Sequence, residues 1–161
     1  MYAVITAERP DTADAIKLIE ELEGELAPQY PSESRHGYSI EKLLKQNVAF
    51  FVTRHDGVAA GCGGIQLFGR EYGELKRMYV CPSFRGLGLA KLMLEHLSNY
   101  AKENGVKTLR LETGIHQHDA IALYESWGFK SIHPFGDYKE DPLSVFYEKQ
   151  FIQMKRLKNS L

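Results

Sequence analysis

Between residues 74 and 80 the apolar side chains are Leu75, Met78 and Val80, so the parity of a strand placed there changes partway along it. Side chains on a strand alternate between its two faces, and a strict period of two cannot make that change. One extra residue near Lys76 or Arg77, a β-bulge, restores a single buried face and leaves backbone groups unpaired beside it. The segment therefore predicts a sheet whose ladder is interrupted at its middle, next to backbone free to bind something else.

The flanking sequence supplies the rest of an α/β domain. Residues 2–6 predict a strand, and residues 11–26 a helix capped by Asp11 or Thr12, with Ile16, Ile19, Leu22 and Leu26 on its inner face. A Pro- and Ser-rich loop over 28–37 leads to a short helix over 39–45 capped by Ser39. Residues 48–53 and 58–68, joined by a His-Asp-Gly turn, read as an antiparallel hairpin. After Pro82, the spacing of Leu89, Met93, Leu97 and Tyr100 marks a helix that stops at Asn104-Gly105. A strand over 109–113, a helix over 119–127, a strand over 129–132, a loop over 133–142 and a strand over 144–151 complete a β-α-β-α-β order. The expected architecture is a mixed, mostly antiparallel sheet of six or seven strands, splayed at its centre, with helices on both faces. The chain is read as one domain over 1–161, because 161 residues leave no room for a second, with a basic tail at 152–161.

Composition excludes several roles. With 20 basic against 21 acidic side chains the net charge is -1, so neither nucleic acid nor a membrane surface is an expected partner. The opening MYAVITAERP has no basic stretch followed by an apolar one, and no run of about 18 apolar residues occurs. A cytoplasmic protein is expected, with Cys62 and Cys81 reduced and structural. His116 and His118 form a pair without a third ligand, so no metal is expected, and His36 is a candidate for the lining of a pocket.

Arg85-Gly86-Leu87-Gly88-Leu89-Ala90 lies between the bulged strand and a helix. Glycines let backbone N-H groups approach a ligand closely, and a helix N-terminus favours phosphate. Lys91 stands where a dinucleotide fingerprint needs glycine, and no Gly-Lys-Ser/Thr follows, so the two common nucleotide motifs fail. The stretch ELKRMYVCPSFRGLGLAKLMLEHL nevertheless resembles the core of the GNAT acetyltransferase superfamily, whose Arg/Gln-x-x-Gly-x-Gly/Ala motif is met by Arg85, Gly88 and Ala90. A second signature, Asn-x-x-Ala-x-x-x-Tyr-x-x-x-Gly-Phe, is met by Ala120, Tyr124, Gly128 and Phe129, with Gln117 in place of the asparagine. The pattern PFGDY followed by DPLSVFYEK is similar to a bacterial subgroup labelled indole-acetate-type acetyltransferases.

The resemblance implies a GNAT-like fold in which 1–47 forms the acceptor side and 48–151 binds acetyl-coenzyme A. The cofactor's pyrophosphate would lie on the backbone of Gly86, Leu87, Gly88, Leu89 and Ala90 with Arg85 beside it. Its pantetheine arm would pair with the exposed backbone of Met78, Tyr79 and Val80, near Gln117 and Ala120. Residues 70–110 carry eight Lys or Arg and four Asp or Glu, an excess that suits a polyanion. The implied activity is N-acetyl transfer to a primary amine of a small, amino-acid-like or other small-molecule acceptor by direct attack in a ternary complex. Tyr124 is the implied acid, and Glu74 is either the implied base or a surface ion-pair partner of Lys76 and Arg77 beside it. A non-catalytic acyl-coenzyme A-binding regulator and a protein or peptide acetyltransferase remain as alternatives, and a homodimer is left open.

Overall fold

The computed structural model describes residues 2–151; the basic tail lies outside the described residues. The elements run β1 (Ala3–Ala7), α1 (Ala13–Leu26), α2 (Ile40–Lys45), β2 (Ala49–His55), β3 (Val58–Phe68), β4 (Tyr72–Val80), α3 (Leu89–Glu103), β5 (Thr108–Gly114), α4 (His118–Ser126), β6 (Lys130–Ile132) and β7 (Ser144–Gln150). Thr12 and Ser39 cap α1 and α2, each hydroxyl accepting a backbone N-H three residues on.

Seven strands form one sheet in the order β1-β2-β3-β4-β5-β7-β6. Among the described residues only the β4–β5 pair is parallel, and it lasts for two register pairs, Gly73 with Leu109 and Glu74 with Arg110. Beyond Glu74 the two strands part. The bulge sits where parity demands one. Cys62 pairs with Tyr79 and Gly64 with Lys76, so Arg77 and Met78 together oppose Gly63. Arg77 takes a φ of +54°, unusual for a residue with a side chain, and its carbonyl leaves the ladder to accept the Cys62 thiol at 3.3 Å. Strain at such a residue needs outside support. Arg77 has it in a buried guanidinium that donates from Nε to the Tyr38 carbonyl at 2.9 Å and pairs with Glu23.

Alternation along β2 sorts the core onto two faces. Phe51 joins Met93, Leu94 and Leu97 of α3 and Tyr124 of α4, whereas Phe50 and Val52 join Leu18, Ile19 and Leu22 of α1 and Leu43 of α2. The inner stripe of α1 is Ala15, Leu18, Ile19 and Leu22, with Ile16 and Leu26 only half-buried. On α3 the buried stripe likewise runs through Leu94, Ser98 and Ala101 and leaves Tyr100 at its edge. Small residues take the close approaches between helix and sheet, which reading by hydrophobicity alone misses.

Candidate functional site

β4 ends at Val80, and a single 3-10 turn, Pro82–Phe84, leads into the loop that starts α3. Gly86 and Gly88 have φ of +83° and +79°, and a Cβ built on either meets nothing within 4 Å. The loop therefore leaves its backbone uncovered where the first-turn N-H groups of α3 have no helical partners, a favourable place for a phosphate. Arg85 is already engaged: Nε donates to the Val80 carbonyl at 2.9 Å, and Nη2 donates to both oxygens of Glu25 on α1, at 3.0 and 2.9 Å.

A cavity of about 620 Å³ lies between the end of β4, the start of α3 and α4. Met78, Tyr79, Val80, Arg85, Gly86, Gly88, Leu89, Ala90, Gln117, Ala120 and Tyr124 line it, so the structure brings together eleven of the predicted residues. On its β5-facing edge β4 has no strand partner from Leu75 onward, while Tyr79 and Val80 pair with β3 on the other side. The uncovered glycine backbone, the open strand edge and the cavity between them fit an extended, phosphate-bearing group such as coenzyme A. Leu87 and Glu74 are not on the wall. Gln117 faces the cavity while its Oε1 accepts from the Tyr30 hydroxyl at 3.1 Å. His116 and His118 lie on the same wall, and among the described residues no three His, Cys, Asp or Glu are grouped to hold a metal ion.

Glu74 sits inside the fold. It is 2% exposed, its Oε2 lies 2.7 Å from Lys76 Nζ, and it accepts from the Tyr138 hydroxyl at 2.5 Å. Lys76 also donates to Tyr138 at 3.1 Å and lies 3.8 Å from the centroid of the Tyr38 ring. Burial pushes the lysine below its ordinary pKa against the pull of Glu74. The Glu74 carboxylate thus serves a buried ion pair.

A second, smaller cavity of about 130 Å³ adjoins the first and shares Met78, Gln117, Ala120 and Tyr124 with it. Tyr124 is 5% exposed and lies edge-on to Phe129 with centroids 5.6 Å apart. Burial, then the nearby charge of Glu112, raises its pKa, so the phenol stays protonated. Its hydroxyl makes no hydrogen bond to another described residue. Glu112 of β5 lines the small cavity and accepts from the Ser144 hydroxyl at 2.8 Å. Burial raises its pKa, and the Ser144 hydrogen bond and the charges of His36 and Lys76 only partly offset that rise. His36 lines the same cavity, its Nε2 3.1 Å from Asp141. Sequence reasoning passed over Glu112 and Tyr138. Glu112 alternates with apolar neighbours as any outward strand residue does, and Tyr138 stands in a loop without periodicity.

Comparison with known proteins follows the same lines. A family model described as the acetyltransferase (GNAT) family matches residues 15–129. An IAA acetyltransferase of Azospirillum brasilense is 42% identical over 146 residues, 90% of this chain and 95% of that protein. An uncharacterised N-acetyltransferase of Bacillus subtilis is 38% identical over 122 residues, covering 74% of this chain and 81% of its own. Among solved structures, a protein classed as an acyl-CoA N-acyltransferase from Klebsiella pneumoniae superposes with a TM-score of 0.78 at 39% identity, covering 93% and 98% of the two chains. The PaiA N-acetyltransferase of Thermoplasma acidophilum, in complex with coenzyme A, shares the fold at a TM-score of 0.75 and 22% identity, covering 94% and 100%.

Proposed function

The chain belongs to the GNAT acetyltransferase family and is an acetyl-CoA-dependent N-acetyltransferase, and from that premise we propose that it acetylates the amine of a small molecule bound in the 130 Å³ cavity. The observation that carries the proposal is the place of Tyr124 on the shared wall of a cavity that suits coenzyme A and a smaller one that holds a half-buried carboxylate. The name of the Azospirillum relative, an IAA acetyltransferase, also suits a small acceptor.

Acetyl-CoA supplies an acetyl group already activated as a thioester. Gly86 to Ala90 hold its phosphates on backbone N-H groups, and Met78 to Val80 hold its arm as an added strand. Leu87, exposed beside the cavity, contributes its backbone only. An acceptor arrives as an ammonium and must lose a proton before its nitrogen can attack. Glu112 takes that proton, because it lines the acceptor cavity and burial has made it more basic than an ordinary carboxylate. Glu74 supports the base indirectly, since its pairing holds Lys76 in place in the same wall. The nitrogen then bonds to the acetyl carbon as the carbon–sulfur bond breaks with its electron pair going to sulfur. The second nitrogen proton is lost, the Tyr124 hydroxyl donates to the leaving sulfur, and one proton is released overall.

The test is release of free thiol from acetyl-CoA in the presence of a panel of small amines. Amine-dependent release supports the reading. Tight binding of coenzyme A with no release on any amine favours a non-catalytic acyl-CoA-binding regulator, and release on peptides alone favours a peptide acetyltransferase.

A further inference from the structure

Tyr30 stands just after α1, where its backbone N-H donates to the Leu26 carbonyl at 3.1 Å, and the residue is 4% exposed. Its ring lies 5.5 Å, centroid to centroid, from that of His116, and its hydroxyl reaches the turn between β5 and α4. The end of β5 makes room for it. A Cβ on Gly114 would overlap the Tyr30 hydroxyl, and Gly114 has no positive φ that would otherwise call for glycine there.

Two hydrogen bonds meet at that hydroxyl. The His116 backbone N-H donates to its oxygen at 2.9 Å, and the hydroxyl donates to Gln117 Oε1 at 3.1 Å. A phenol has a single proton to give, and Gln117 is the one acceptor within its reach among the described residues. Turning the Gln117 amide over would set two donors against a buried hydroxyl and leave its own proton unpaired. The amide is therefore held with its oxygen toward Tyr30 and its NH2 group away from it. Gln117 N-caps α4 without a capping bond from its side chain, and it lines both cavities. Its Nε2 keeps accessible surface and is bonded to no described residue.

We infer that Tyr30 is a positioning residue for the cofactor: it turns the Gln117 amide so that Nε2 donates to an amide carbonyl of the coenzyme A arm. The inference rests on the placement of coenzyme A in the large cavity. A free glutamine side chain loses rotamer freedom when it binds, and the Tyr30 bond has already taken that loss in folding. Tyr30 lines the small cavity, so the arm is steadied from the acceptor side of the fold.

Calorimetry with coenzyme A and initial rates of thiol release test this on the full chain. Tyr30→Phe keeps the ring and removes the hydroxyl. The expected result is coenzyme A affinity weaker by about 3- to 10-fold and a matching rise in the KM for acetyl-CoA, with kcat within about twofold, as the loss of one neutral hydrogen bond implies. Gln117→Leu should weaken affinity at least as much, and the double variant should be no weaker than Gln117→Leu alone, because Tyr30 acts through that amide. Two losses that add in full, a fall in kcat at unchanged KM, or a Tyr30→Phe affinity within about twofold of wild type overturns the inference. If Tyr30→Phe folds poorly, the wild type decides. The Gln117 side-chain NH2 resonances should shift when coenzyme A is added, and resonances that stay in place overturn the inference. Gly88→Ala separates the two failures: affinity unchanged in that variant as well removes the placement of the cofactor, whereas a loss there with none in Tyr30→Phe removes the role of Tyr30 alone.

Discussion

A buried tyrosine and a half-buried glutamate, each with a raised pKa, make opposite demands on the fold. The Tyr124 phenol is neutral at every pH the enzyme meets, and burial suits it. Tyr124→Phe keeps the edge contact with Phe129 and removes a hydroxyl with no bond to another described residue. Its melting temperature should stay within a degree or two of wild type, while kcat falls by about 100-fold, the low end for general acid help. An unchanged kcat under conditions where chemistry limits the rate returns Tyr124 to the core alone. Glu112 must be ionised to act, yet burial favours its neutral form. A carboxyl whose folded pKa is raised contributes stability below its unfolded pKa, and that contribution is lost as pH rises through the folded one. Glu112→Gln should therefore raise the melting temperature at neutral pH while it lowers kcat/KM. It should also remove an acid limb of the wild-type profile that lies above the ordinary 4.5. A variant that is less stable, or that keeps this limb, contradicts the assignment. Tyr124 was legible because it completes a spaced motif of four residues. Glu112 was not, because only the departure of β4 from β5 turns that strand position into the wall of a cavity.

Within single elements, the sequence is clearest where a local rule is broken. The parity slip at Leu75, Met78 and Val80 located the bulge within a residue of Arg77, since no regular strand explains those positions. The glycines of the Arg85 loop were equally readable, because their left-handed backbone is one that other residues avoid. What was hidden is the bond from that loop to α1, where Glu25 accepts from Arg85 across 60 residues of chain. Both partners are partly exposed, and such pairs are worth about 0 to 1 kcal/mol. A bound phosphate thus displaces Glu25 at small cost, and Glu25→Gln should change coenzyme A affinity by less than about fivefold. Gly88→Ala should change it by about tenfold or more, because it puts a methyl group over the uncovered backbone and strains a φ of +79°. Calorimetry on the two variants measures both numbers, and equal effects count against the backbone cradle. The ion pair of Glu74 with Lys76 was one of two readings open to the sequence, but its burial and its Tyr138 partner were not, since Tyr138 reaches it from 64 residues away.

Across the whole molecule the sheet is two half-sheets, β1 to β4 and β5 with β7 and β6, joined by two register pairs and the helices that cross them. A ligand in the large cavity touches β4, α3 and α4 together and binds only the folded state. Coenzyme A at 100 times its dissociation constant should therefore add about 2.7 kcal/mol of stability, with slower amide exchange at Met78 to Val80. A melting temperature indifferent to coenzyme A denies the cavity its ligand. The strand order also sets a timetable for the growing polypeptide. β6 touches the sheet only through β7, which follows it in the chain, and β7 fills the place beside β5. While the ribosome has yet to release residues 144–150, β5 shows a bare edge and β6 has nothing to join. The second half-sheet is therefore completed only after synthesis has passed β5 and β6 by, and until then β5 carries an open strand edge of the kind that invites aggregation.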